Sequence, residues 1–198
     1  MSTRSARNQR GLSLVEQIVF IVVVGIAVAG VLAAMNVATR GSADPMIQKQ
    51  ALAIAEAVLE EVQLQPFTYC DPDDAAAPTA TGVTGCATQE AIGVEGGETR
   101  SGNPVGTPPF FDNVSDYDGY DTGTAVPSGI ADIAGSLIPN LDGYRATVSV
   151  AAPPLGAIGD DGDGRPQSLL ITVNVTGPGN TTVVLHGYRT RYAPNALP

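Results

Sequence analysis

Residues 18–35 (IVFIVVVGIAVAGVLAAM) run for 18 positions without a charge or a strong hydrogen-bonding side chain, and this run constrains the chain more than any other feature. Leu12, Leu14 and Val15 extend it upstream. A helix over 12–35, rising about 1.5 Å per residue, is long enough to cross a hydrocarbon layer of about 30 Å. Arg4, Arg7 and Arg10 precede it in a stretch with no acid, and the next basic residue is Arg40. That asymmetry predicts a cytoplasmic N-terminus and an exported body.

Glu16 is the anomaly. A carboxylate in a membrane-spanning helix costs on the order of 2.5–3.5 kcal/mol, so a partner or a function is expected for it. It falls in the first turn of a helix beginning at Leu12, where the helix N-terminus and a nearby free amine both stabilise a negative charge. The amine exists only if the chain is cut between Gly11 and Leu12.

The stretch Arg10-Gly11-Leu12-Ser13-Leu14-Val15-Glu16, followed by the apolar run, resembles the class III signal of type IV prepilins. The resemblance implies that a prepilin peptidase cuts after Gly11 and methylates Leu12, and that Glu16 is the fifth mature residue, acting in assembly. Leu12 departs from the commoner phenylalanine. Two other readings compete: a secretory signal cleaved at Ala27-Val28-Ala29, and an uncleaved anchor. Neither accounts for Glu16.

Beyond Gly11 the chain carries 7 basic and 20 acidic residues, a charge of −13 that repels phosphate backbones and argues against nucleic-acid partners. Gly (23) and Pro (15) are plentiful, which suits a loop-rich extracytoplasmic body. Cys70 and Cys86 are expected to form one disulfide in an exported protein, stabilising the fold by about 3 kcal/mol.

The spacing predicts a second helical segment over 45–64, opened by Asp44 as N-cap and Pro45 at the first helical position, after a weakening at Gly41. Ile47, Ala51, Ile54, Ala55, Val58 and Val62 line one face. Glu56, Glu60 and Glu61 read as a solvated face. Residues 65–142 are irregular, with a weak helical signal at 130–137 and two acidic clusters, Asp71/Asp73/Asp74 and Asp112/Asp116/Asp118/Asp121. Strands are expected over 144–150, 168–176 and 181–192, the last two joined by a hairpin turn at Gly177-Pro178-Gly179-Asn180. A three-stranded meander needs a cover, and the 45–64 helix supplies it.

The fold class is therefore α+β: a long N-terminal helix, membrane-spanning in its first half, packed on a small antiparallel sheet with a long irregular αβ-loop, the arrangement of pilin-like proteins. The expected organisation is a leader over 1–11, a transmembrane and assembly helix over 12–40, an amphipathic second half over 41–66, a disulfide-bearing loop region over 67–142 and a β-region over 143–198.

Asp160-Asp161-Gly162-Asp163-Gly164 has the look of a calcium loop but lacks the closing glutamate, so an Asp/Gly turn is favoured. Calcium is credible in the Asp112–Asp121 stretch, without assigned ligands. His186, the lone histidine, sits in an expected strand with no catalytic or metal-ligand grouping around it. No cofactor, metal site or catalytic residue is assigned, and no enzymatic activity is expected.

Several further stretches resemble the minor pilins of mannose-sensitive haemagglutinin (MSHA) pili: Ser42-Ala43-Asp44-Pro45, residues 50–61, Cys70-Asp71-Pro72-Asp73-Asp74, residues 111–120 (FDNVSDYDGY) and Tyr188-Arg189-Thr190-Arg191-Tyr192. The resemblance implies a low-abundance subunit of an attachment pilus, held in the inner membrane of a Gram-negative bacterium with a periplasmic body before assembly. Its partners would be the prepilin peptidase and other pilin subunits. The alternatives are a type II secretion pseudopilin, a secreted acidic binding domain or adhesin, and an anchored periplasmic enzyme.

Overall fold

A computed structural model describes residues 13–102, 104–125, 127–160, 162 and 165–196, with side chains described at all of these except 37–44. The chain divides into two compact units, Met1–Pro45 and Met46–Pro198. One helix, α1, is assigned over Leu14–Leu64, with Pro45 inside it.

In the first unit, α1 contains the 23-residue segment Leu14–Asn36, long and apolar enough to cross a membrane, with a mean hydropathy of 3.0 and none of its apolar window buried. Its start is fixed locally: the Glu16 N–H donates to Ser13 Oγ at 3.3 Å and the Gln17 N–H to the Ser13 carbonyl at 3.2 Å. Ser13 thus satisfies a helix N–H that otherwise has no partner. The helix break expected at 41–45 is not formed, because the backbone stays helical through it.

The second unit is an α+β body. Strands β1 (Arg145–Ala151), β2 (Ser168–Gly177) and β3 (Thr181–Thr190) form an antiparallel sheet in the order β1-β2-β3. Each expected strand is present, with no end shifted by more than two residues. The hairpin turn is a short 3-10 turn, Pro178–Asn180, in which Gly179 and Asn180 take positive φ. Alternation sets the buried face: Ala146, Val148 and Val150 on β1 stand opposite Val175, Val173 and Ile171 on β2. Ala51, Ile54, Ala55 and Val62 of α1 join the same core, with Ile47 and Val58 packed at its margin. The helical stripe legible in the sequence is therefore the face that covers the sheet. At Gly187 the helix comes close to β3: a Cβ there would lie 2.4 Å from Gln63 Nε2 and 3.0 Å from Leu59 Cδ1.

Glu56 and Glu60 are exposed as expected, but Glu61 is only partly exposed and is held by protein partners. Its carboxylate takes a bidentate pair from Arg100 (Nε to Oε1 2.5 Å, Nη2 to Oε2 2.6 Å) and a bond from the Tyr117 hydroxyl at 2.8 Å. Residues 130–137 are not helical. Gly135 has φ +82°, and the Ser136 N–H caps onto Asp132 Oδ1 at 2.8 Å, closing a turn instead.

The long αβ-loop has little regular structure beyond two 3-10 turns, Val83–Gly85 and Ser115–Tyr117, yet it contributes Phe67, Val114, Tyr117 and Ile130 to the core. Residues 119–122 lie along the outer edge of β1: the Gly119 and Thr122 N–H groups donate to the Val148 and Ala146 carbonyls, and the Val148 N–H to the Tyr120 carbonyl.

Candidate functional site

Of the residues expected to act in processing, Gly11 and Leu12 lie outside the described residues. Glu16 is the third residue of α1, exposed, with its amide on Ser13 Oγ. The pattern Ser13-Leu14-Val15-Glu16 is a capping-box signature, and it would have placed the helix start from sequence. Cys70 and Cys86 form the expected disulfide, with their Cα atoms 5.3 Å apart.

That disulfide organises a site the sequence only hinted at. Cys70 also pairs with Gln89 in an antiparallel bridge, with the Asp71 N–H on the Thr88 carbonyl and the Glu90 N–H on the Tyr69 carbonyl. Residues 71–73 and 88–90 are thereby held side by side. A turn follows, in which the Glu98 N–H meets the Glu95 carbonyl, and Thr99 pairs in parallel with Phe110, which delivers Asp112 to Glu98. Asn113 is fully buried and donates through Nδ2 to Thr68 Oγ1 at 2.7 Å, while the Thr68 hydroxyl donates to the Cys70 carbonyl at 2.6 Å.

Two sets of carboxylates result. In Asp71, Asp73, Glu98 and Asp112, one oxygen from each lies within 4.8 Å of the others, and the same is true of Glu90, Glu95 and Asp116. Glu90 and Glu98 are each 6% exposed and Asp116 is 1% exposed. One oxygen of some members is occupied: Glu90 Oε1 accepts from Ser115 Oγ at 2.5 Å, and Asp116 Oδ2 accepts from the N–H groups of Asp112 (2.9 Å) and Asn113 (2.7 Å). The other oxygens, Glu90 Oε2, Glu98 Oε2, Asp112 Oδ1 and Asp116 Oδ1, are buried with no hydrogen-bond partner.

The electrostatics follow from this crowding. Burial, reinforced by the charges of Asp116, Asp112 and Asp71, pushes Glu98 up to about 8. Burial and the neighbouring Asp116 push Asp112 up to about 7. Asp116 rises to about 6, burial outweighing its two backbone N–H bonds. Glu90 and Glu95 both rise, first through burial, with Arg165 offsetting part of the repulsion at Glu95. Crowded, buried carboxylates resist ionisation, and either protonation or an added cation relieves them.

The remaining acids of the two sequence clusters have separate structural tasks. Asp74 accepts the N–H groups of Ala76 and Thr88, and Asp118 Oδ1 accepts that of Val150 at 2.8 Å. Asp121 pairs with Arg145 of β1. Asp160 closes a turn onto Gly162 at 2.9 Å, in line with the turn reading; Asp161 and Asp163 lie outside the described residues. His186 is exposed on β3, its Nδ1 3.0 Å from Thr172 Oγ1 on the neighbouring strand. Glu90, Glu95 and Glu98 carried no local signal in the sequence, since they are scattered through an irregular stretch and meet only on folding. Comparison with protein-family models, with curated proteins and with solved structures found no match.

Proposed function

We propose that this chain is a pilin-like subunit, cut between Gly11 and Leu12 by a prepilin peptidase and assembled through the apolar part of α1 into a surface filament. The observation that supports it is the segment Leu14–Asn36, apolar along its length and none of its window buried, with a carboxylate, Glu16, in its first turn. An exposed apolar surface of this extent calls for lipid before assembly and for other subunits after it. Arg4, Arg7 and Arg10 keep the N-terminus in the cytoplasm, so the α+β body is periplasmic in the inner-membrane form.

In the filament, Glu16 pairs with the amine of Leu12, its own or a neighbour's. A misplaced subunit leaves that charge buried and unpaired, so the pair specifies axial register. The distributed resemblance to MSHA-type minor pilins makes attachment the role of the filament, with no catalysis by this subunit.

The test is the N-terminal peptide of the mature protein from native membranes, together with Glu16→Ala. An N-methylated Leu12 start is expected, with Glu16→Ala still cleaved but missing from sheared filaments. A start at Gly30, an uncut Met1, or normal incorporation of Glu16→Ala refutes the proposal. Recovery of methylated protein that never enters surface filaments identifies a secretion pseudopilin instead.

A further inference from the structure

We infer that the αβ-loop is a calcium-binding module holding two ions, one in the set Asp71, Asp73, Glu98 and Asp112 and the other in the set Glu90, Glu95 and Asp116. The inference does not depend on the chain's assembly and can hold or fail without it.

The dimensions suit the ion. Calcium binds oxygen at about 2.3–2.6 Å, so two ligands on opposite sides of one ion lie about 4.8 Å apart. Within each set, the chosen oxygens lie within 4.8 Å of one another. Each set therefore has oxygens close enough together to share one ion.

Crowded acids alone would say little, since acidic loops are common. The second observation is where the unpartnered oxygens are. Glu98 of the first set carries such an oxygen, Oε2, and Glu90 and Asp116 of the second carry Oε2 and Oδ1; each is buried without a hydrogen-bond donor, on a residue more than nine-tenths buried. A buried carboxylate oxygen with no donor is a costly feature in any fold, and a bound cation removes that cost. The partner oxygens are fixed by Ser115 Oγ on Glu90 and by the Asp112 and Asn113 N–H groups on Asp116. These donors engage one oxygen of each carboxylate and leave Glu90 Oε2 and Asp116 Oδ1 without a donor.

The chemistry of the donors selects among metals. Seven carboxylates with no imidazole or thiolate exclude a zinc or copper type of site. Carboxylates able to bind through one or both oxygens meet calcium's demand for six to eight ligands, whereas magnesium needs strict octahedral geometry at about 2.0–2.1 Å and retains its waters. Asp73, the exposed member of the first set, marks the side from which an ion enters.

The experiment uses the full chain in detergent, freed of metal, and titrates it by calorimetry with calcium alone and, separately, with magnesium alone. Two calcium ions per chain are expected, with dissociation constants at or below about 1 mM, as for extracellular calcium modules, and at least tenfold weaker magnesium binding. Glu98→Gln should weaken one equivalent by tenfold or more and Glu90→Gln the other, while Glu56→Gln, on the exposed face of α1, leaves both unchanged. Asp73→Asn guards against a folding artefact, because its exposed side chain supports no core; it should weaken the first equivalent several-fold with the circular dichroism spectrum intact. Absence of saturable calcium binding overturns the inference, as does binding that is unaffected by Glu98→Gln, Glu90→Gln and Asp73→Asn or matched by magnesium. A single equivalent that responds only to Glu98→Gln and Asp73→Asn overturns the second set.

Discussion

Replacing Arg100 by methionine should lower the stability of the body by about 3 kcal/mol, and the structure says why. The guanidinium side chain is 9% exposed and makes four bonds at once: two to the Glu61 carboxylate on α1, and two from Nη1 to the carbonyls of Ala131 (3.1 Å) and Asp132 (3.0 Å). It thus joins the helix, 39 residues before it in sequence, to a stretch of loop 31 residues after it. Methionine keeps much of the volume and removes every bond. Glu61 is then left with the Tyr117 hydroxyl alone, in a position where its side chain is 18% exposed. Breaking a buried pair by removing one partner costs about 3–5 kcal/mol, and the residual access of water to Glu61 places the expectation at the lower end. For a chain of this size that is a fall in melting temperature of roughly 6–12 °C. The assay is a thermal melt of the full chain in detergent followed by circular dichroism. Arg100→Met with Glu61→Met should recover much of the loss, because two apolar side chains carry no desolvation penalty. A melting point for Arg100→Met within about 2 °C of the parent, or a double variant no more stable than the worse single one, would show that the loop is held by packing alone and that the clamp contributes nothing.

Other consequences can be checked in the same way. Cys70→Ser with Cys86→Ser should destabilise the chain by about 3 kcal/mol in chemical denaturation, because the unfolded loop is no longer constrained. Gly102→Ala should cost more than about 2 kcal/mol, since φ is +80° there and the new Cβ would lie 1.9 Å from the Thr107 carbonyl oxygen; an unchanged denaturation midpoint would refute that close approach. The hydrogen bonds from Arg145 hold the Asp121 carboxyl below its ordinary value, helped by the Gly123 N–H. A depressed folded value gives stability that is present above the unfolded value near 3.9 and lost as the pH falls through the folded one. Asp121→Asn should therefore melt lower than the parent at neutral pH and converge with it in strong acid; a gap that persists at low pH would exclude the ion pair as its source.

Much of the architecture was legible because it rests on short-range periodicity. Val148 and Val150, or Val173 and Val175, announce a half-buried strand by alternation alone, and Ala51, Ile54, Ala55 and Val62 announce the helical face that covers it. What escaped depends on partners distant in sequence. Glu61 sits at the margin of the apolar stripe, one residue before Val62, and nothing near it in sequence marks Arg100 and Tyr117 as its partners. Residues 130–137 look helical by composition, but Gly135 and the Asp132 cap favour a turn. The acidic centre was half visible, since Asp71, Asp73, Asp112 and Asp116 stand in obvious clusters. Their separation from Asp74, Asp118 and Asp121 comes from bonds to Thr88, Val150 and Arg145, and no local rule encodes such bonds. Glu90, Glu95 and Glu98 were silent for the same reason.

The strip 119–122 along β1 has a consequence for how bodies of this kind could polymerise. A sheet with two free edges can add strands at both and grow without limit. Here the β1 edge is already hydrogen-bonded, so among the described residues β3 is the edge left open. Each body then has a valency of one for strand addition. Two copies joined through β3 would close into a six-stranded pair with no edge to offer a third, and strand exchange is removed as a route to open-ended fibres.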